Sequence, residues 1–111
     1  MTERELLEAA AKAAGLEVID METKDCLAIK IDYCNHGYWN PLTDDADAFR
    51  LAVKLGLRHL FYVEVQKDCV QTSYIVPQED IFYESFKDQD PLAATRRAIV
   101  RAAAELGKEM K

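Results

Sequence analysis

Apolar residues recur at helical spacing near both ends and in the middle of this chain, and alternate with polar ones in between. After Thr2, the residues Leu6, Leu7, Ala10, Ala13 and Ala14 make one stripe, with Glu8 and Lys12 paired four positions apart on the wet side. Thr2 and Glu5 have the spacing of a capping box, in which each side chain satisfies a free backbone N–H of the other residue. Gly15 stands where a left-handed C-cap is wanted, and Leu16 can pack back on it. A second helix is predicted from Thr43 as N-cap to Gly56. Asp44, Asp45 and Asp47 oppose the positive end of its dipole, and Ala46, Phe49, Leu51, Ala52, Val53 and Leu55 give it a wide apolar face. A third helix starts at Asp90 with Pro91 in first position, turns Leu92, Thr95, Ile99, Ala102, Ala103 and Leu106 inward, and closes at Gly107.

Strands are predicted over residues 16–21 and 26–33, joined by the turn Glu22-Thr23-Lys24-Asp25. In the second of them Leu27, Ile29, Ile31 and Tyr33 face one way while Lys30 and Asp32 face the other. Residues 34–42 read as a loop. Residues 60–66 and 69–76 read as a hairpin turning at Lys67-Asp68, with Pro77 as its stop and residues 81–86 as a further edge strand. The order is α-β-β-α-β-β-(β)-α. It implies one α+β domain over residues 1–107, with a charged tail at 108–111. Its economical arrangement is an antiparallel sheet of four to five strands with helices on both faces, a three-layer α/β/α sandwich.

The block Trp39-Asn40-Pro41-Leu42-Thr43-Asp44-Asp45-Ala46-Asp47-Ala48-Phe49-Arg50-Leu51-Ala52-Val53 resembles the phage ABA sandwich domain family, small phage and prophage proteins. The run Asp90-Pro91-Leu92-Ala93-Ala94-Thr95-Arg96-Arg97-Ala98-Ile99-Val100-Arg101-Ala102 is similar to the end of that domain. The opening Glu5-Leu6-Leu7-Glu8-Ala9-Ala10-Ala11-Lys12-Ala13-Ala14-Gly15 has its look as well. The resemblance implies a fold and a setting, that of a phage accessory protein, and carries no catalytic motif.

The 111 residues are half apolar and carry a net charge of −6, a globular composition. An acidic chain of this kind is disfavoured as a nucleic-acid binder, which needs a basic surface. Arg96, Arg97 and Arg101 could make a small basic patch, but a solvated helix face explains them as well. The three cysteines Cys26, Cys34 and Cys69 and the charged start Met1-Thr2-Glu3-Arg4-Glu5 point to reduced thiols and a cytoplasmic protein without a membrane span. Cys26, Cys34, His36, His59 and Cys69 match no zinc spacing, and Asp44, Asp45 and Asp47 lack the pattern of a calcium loop. No metal and no cofactor is expected. Pairing of a cysteine with His36 or His59 lies in no nucleophile signature.

The richest chemistry lies around the predicted loop, where Tyr33, Asn35, His36, Tyr38 and Trp39 concentrate aromatic and hydrogen-bonding groups. Asn35, His36, Tyr38 and Trp39 are therefore the candidate residues for a ligand or partner. The competing explanation makes Trp39 a core plug over Phe49 and Val53, with Tyr38 and His36 turned outward. Three functions remain open: a binding protein for an unknown protein partner, a small-ligand binder or enzyme using this loop, and a homo-oligomeric structural unit.

Overall fold

Among the described residues nine elements follow one another: α1 (Glu3–Ala14), β1 (Val18–Asp20), β2 (Leu27–Lys30), β3 (His36–Trp39), α2 (Asp45–His59), β4 (Tyr62–Val65), β5 (Cys69–Tyr74), β6 (Asp80–Ser85) and α3 (Pro91–Glu109). The structure, a computed structural model, describes residues 2–20, 27–30, 36–76, 78–87 and 89–110. The turn predicted at residues 22–25, the C-terminal part of the strand predicted at 26–33, and Pro77 lie outside the described residues.

The ends of α1 follow from its local sequence. Thr2 Oγ1 accepts the Glu5 amide at 3.1 Å. At the other end Gly15 adopts a left-handed φ of 74°, its N–H donates to the Lys12 carbonyl at 3.1 Å, and the Leu16 N–H reaches the Ala11 carbonyl at 2.9 Å. Helix α3 starts as predicted, with Asp90 accepting the Ala93 amide at 3.1 Å and Pro91 in its first turn. It does not close at Gly107 but continues to Glu109.

Gly107 has a different task. A β-carbon there would overlap the Ala9 carbonyl and its backbone carbon, so α1 and α3 touch backbone to backbone at this point. Around the contact lie Ala10, Ala11, Ala13 and Ala14 of α1 and Ala102, Ala103 and Leu106 of α3, all buried in the one core. Glu3 meets Arg97 at 3.9 Å, Ala9 meets Gly107, and Lys12 Nζ donates to the Met110 carbonyl at 2.7 Å. That order shows the two helices running in the same direction. Leu92, predicted to face inward, is exposed; the buried side of α3 begins instead at Ala94, two residues on, and continues through Ala98.

The strands form two antiparallel meanders, β1-β2-β3 and β4-β5-β6, instead of the single sheet of four to five strands predicted. The third strand of the first meander comes from residues predicted as loop. In the second, the register pairs Tyr62 with Ser73 and Val65 with Val70. The Gln66 N–H closes the predicted Lys67-Asp68 turn onto the Cys69 carbonyl at 2.8 Å. Val70, Thr72 and Tyr74 are buried beneath α3, and the rings of Tyr74 and Phe82 lie 5.9 Å apart. The alternate residues of this sheet look away from α3: Tyr62, Ile81 and Tyr83 are exposed. One face of this sheet therefore carries no helix among the described residues. The helices satisfy their apolar faces largely on one another, α1 on α3 and α2 on α3, which leaves none for that second face.

Helix α2 also runs past its predicted end. Gly56 lies inside it, and the chain leaves through Leu60, a non-glycine residue with φ of 54°.

Alanine in place of the two helical glycines should have opposite effects. At Gly56 a β-carbon meets nothing closer than the Phe61 carbonyl at 3.9 Å, so Gly56→Ala should stabilise by about 0.5–1 kcal/mol. Gly107→Ala forces α1 and α3 apart, and the overlap should outweigh the propensity gain, for a net loss of about 1–3 kcal/mol. Urea denaturation of both variants checks the signs.

Candidate functional site

Of the four candidate residues, Asn35 lies outside the described residues, and His36 is described as backbone only, at the start of β3. Tyr38 and Trp39 pair with Ala28 and Leu27 of β2. Strand alternation therefore sends their side chains to opposite faces. Tyr38 is 73% exposed and Trp39 only 4%. Trp39 joins Leu7, Ala48, Leu51 and Leu55 in the core. Phe49 and Val53, the side chains it was expected to cover, stand in solvent.

The polar groups after Trp39 are occupied in shaping the start of α2. The Leu42 N–H donates to Asn40 Oδ1 at 3.0 Å, and the Thr43 and Asp44 N–H groups donate to the Asn40 carbonyl at 3.2 and 3.0 Å. This turn displaces the helix start by one residue from the predicted Thr43. Asp44 is the N-cap, and its Oδ1 accepts the Ala46 and Asp47 amides at 2.8 and 3.2 Å. Asp47 reaches back to the Asn40 N–H at 3.0 Å. Asp45 pairs with Arg96 of α3, which also donates from Nε to the Leu42 carbonyl at 2.9 Å. Each of the three acids thus has a structural partner.

The same holds for the arginines that could have formed a basic patch. Arg96 is held by Asp45, Arg97 faces Glu3, and Arg101 meets Glu84 at 3.2 Å. Arg101 and Glu84 line an open groove of about 420 Å³ between β6 and α3, together with Ile81, Phe82, Tyr83, Ala98 and Glu105. Its one described cation is already paired with a carboxylate.

Elsewhere, Cys69 Sγ donates to Gln66 Oε1 at 3.3 Å. Desolvation, followed by the neighbouring Asp68, pushes its thiol pKa up, away from the thiolate a nucleophile needs. The buried Tyr74 hydroxyl donates to Asp80 at 3.0 Å, and burial plus that carboxylate raise the phenol pKa. His59, 9% exposed, has Nδ1 3.0 Å from the Val76 carbonyl. Its own carbonyl accepts the Ile75 and Val76 amides at 3.1 and 3.2 Å. It fastens the end of α2 to the segment after β5. Among the described residues no group of three or more His, Cys, Asp or Glu is placed to hold a metal, and no helix is long and apolar enough to cross a membrane.

What stands open is apolar. Helix α2 buries Ala48, Leu51, Leu55 and His59 and turns a second row outward. That row is Phe49, 69% exposed, Val53, and Leu57, 83% exposed, continued by Leu60 after the helix. The spacing of four residues aligns them on one face. Ending the helix at Gly56 hid this row in the sequence, because Leu57 and Leu60 then fell outside it. No family model, no curated protein and no solved structure matches the chain.

Asp44→Ala should cost about 1 kcal/mol by removing the cap, whereas Thr43→Ala should cost less than about 0.5 kcal/mol, as exposed positions usually do. Trp39→Ala should cost ~3–5 kcal/mol. Equal midpoints for Asp44→Ala and Thr43→Ala in chemical denaturation would contradict the cap assignment.

Proposed function

We propose that this chain is a binding protein whose task is to hold a protein partner, without chemistry of its own. The observation that supports this reading best is the second apolar row of α2. A fifteen-residue helix covers one of its apolar faces completely and leaves Phe49, Val53 and Leu57 in water. Large contiguous apolar side chains on a surface mark an interaction site. Among the described residues the titratable groups offer no comparable site: the carboxylates of the Asn40–Asp47 block cap and clamp, the arginines of α3 are paired, and the Cys69 thiol donates to Gln66. The setting we propose, a phage or prophage accessory protein, rests on the blocks around Trp39 and Asp90 and the opening Glu5 to Gly15, and its place in the host cytoplasm on the three cysteines.

A homo-oligomeric unit is the second reading. It is favoured by the sheet face that carries no helix among the described residues, where Tyr62, Ile81 and Tyr83 form a patch able to stack on itself about a two-fold axis. Small-ligand binding near Tyr38 keeps one exposed aromatic but loses Trp39 to the core.

Two surface variants separate the readings. Capture of a specific protein that is retained by Tyr83→Ser but lost in Phe49→Ser/Leu57→Ser supports partner binding through α2. A stable dimer in sedimentation velocity that Tyr83→Ser dissociates, with no partner captured, would replace it with the oligomer reading.

A further inference from the structure

We infer that the outer face of α2 receives an acidic amphipathic helix of a partner protein, a statement that rests on the protein-binding reading above and names the class of partner. The apolar row is flanked on one side by Arg50, Lys54 and Arg58, themselves four residues apart, the last with its guanidinium lying against Gly15 at the end of α1. These three stand out in a chain of net charge −6. The acids that share the helix are engaged elsewhere, Asp44 in the cap, Asp45 with Arg96, and Asp47 with the Asn40 N–H. Among the described residues Arg50, itself largely exposed, meets the mostly buried Asp47 at 3.6 Å, a carboxylate it shares with the Asn40 N–H. Lys54 forms no ion pair among the described residues. The charge left to complement is therefore positive, and it runs parallel to the row.

The geometry selects a helix. An α-helical surface offers no free backbone edge, so an extended peptide would gain nothing from its own N–H and C=O groups. A helix can instead set apolar residues at three- and four-residue spacing between Phe49, Val53, Leu57 and Leu60. These span roughly 16 Å along α2 and its cap. Glutamates on the flank of the incoming helix then meet Arg50 and Lys54.

A second copy of α2 fits poorly. Antiparallel pairing about a two-fold axis near Val53 places the Lys54 side chains of the two copies side by side, with both Arg50 residues on the same flank. Parallel pairing sets two copies of the same helix side by side with their dipoles aligned, positive end against positive end. Either way like charges face each other.

The test uses the whole protein and two synthetic helical peptides of about fourteen residues with the same leucine row, one flanked by glutamate and one by lysine. Fluorescence anisotropy should show the glutamate peptide binding at least about tenfold tighter at low salt, with the preference shrinking as salt rises. Arg50→Glu/Lys54→Glu should invert the preference, and Phe49→Ser/Leu57→Ser should abolish binding of both peptides. All four substitutions are at exposed positions, and unchanged melting would confirm that the fold is intact. Equal affinity for the two peptides, or binding indifferent to Phe49 and Leu57, would overturn the inference. So would a dimer that depends on Phe49 and Leu57, or binding to phosphatidylglycerol vesicles but to neither peptide. If both peptides fail while Phe49→Ser/Leu57→Ser still abolishes capture of a specific protein, the acidic helix is wrong and the protein-binding reading survives.

Discussion

The contact of Gly107 with the backbone of Ala9 sets the distance between α1 and α3, and most of the remaining architecture follows from it. Two helices can approach backbone to backbone only where side chains are absent or no larger than methyl. The row Ala10, Ala11, Ala13, Ala14 against Ala102 and Ala103 extends that condition on either side of the glycine. Dispersion at such short range comes from many small contacts, so the seam tolerates no added volume. Lys12 at the Met110 carbonyl and Glu3 near Arg97 hold its two ends.

Because α1 and α2 spend their buried faces largely on α3, the second sheet has a helix on one side alone among the described residues. Its inner face holds Val70, Thr72 and Tyr74, and its outer face shows Tyr62, Ile81 and Tyr83 to water. Arg96 joins this frame to the beginning of α2, holding the Leu42 carbonyl and Asp45 together. Trp39 fills the core beside Leu51 and Leu55 of α2. Fixed from these two sides, α2 must present its remaining apolar row outward. The surface proposed as functional is thus a consequence of which helix pairs with which.

Features decided by neighbours in sequence were legible beforehand. The Thr2 and Asp90 caps, the Gly15 terminus and the Lys67-Asp68 turn depend on groups a few residues apart, and all are formed. Even there a competing local bond moved one assignment: the turn centred on Asn40 passed the capping role from Thr43 to Asp44. Gly56 and Gly107 were misread for one reason. Glycine looks like a helix stop in a sequence, while at Gly107 its smallness serves a contact with a residue far away in the chain. The exposure of Tyr38 and burial of Trp39 were anticipated, but the cause is pairing with β2 and not a free turn. The division of the strands into two sheets is a matter of long-range pairing, on which alternation along a single strand is silent. The exposed row of α2 required knowing which of two apolar faces α3 and α1 would cover.

That α2 has one buried and one uncovered apolar face can be measured by solution NMR of methyl-labelled protein with a soluble paramagnetic agent. The methyl groups of Leu57 and Val53 should show strong relaxation enhancement, and those of Leu51 and Leu55 on the same helix should be protected. Protection of Leu57 equal to that of Leu51 would mean that the outer row is covered and that α2 has no free apolar face.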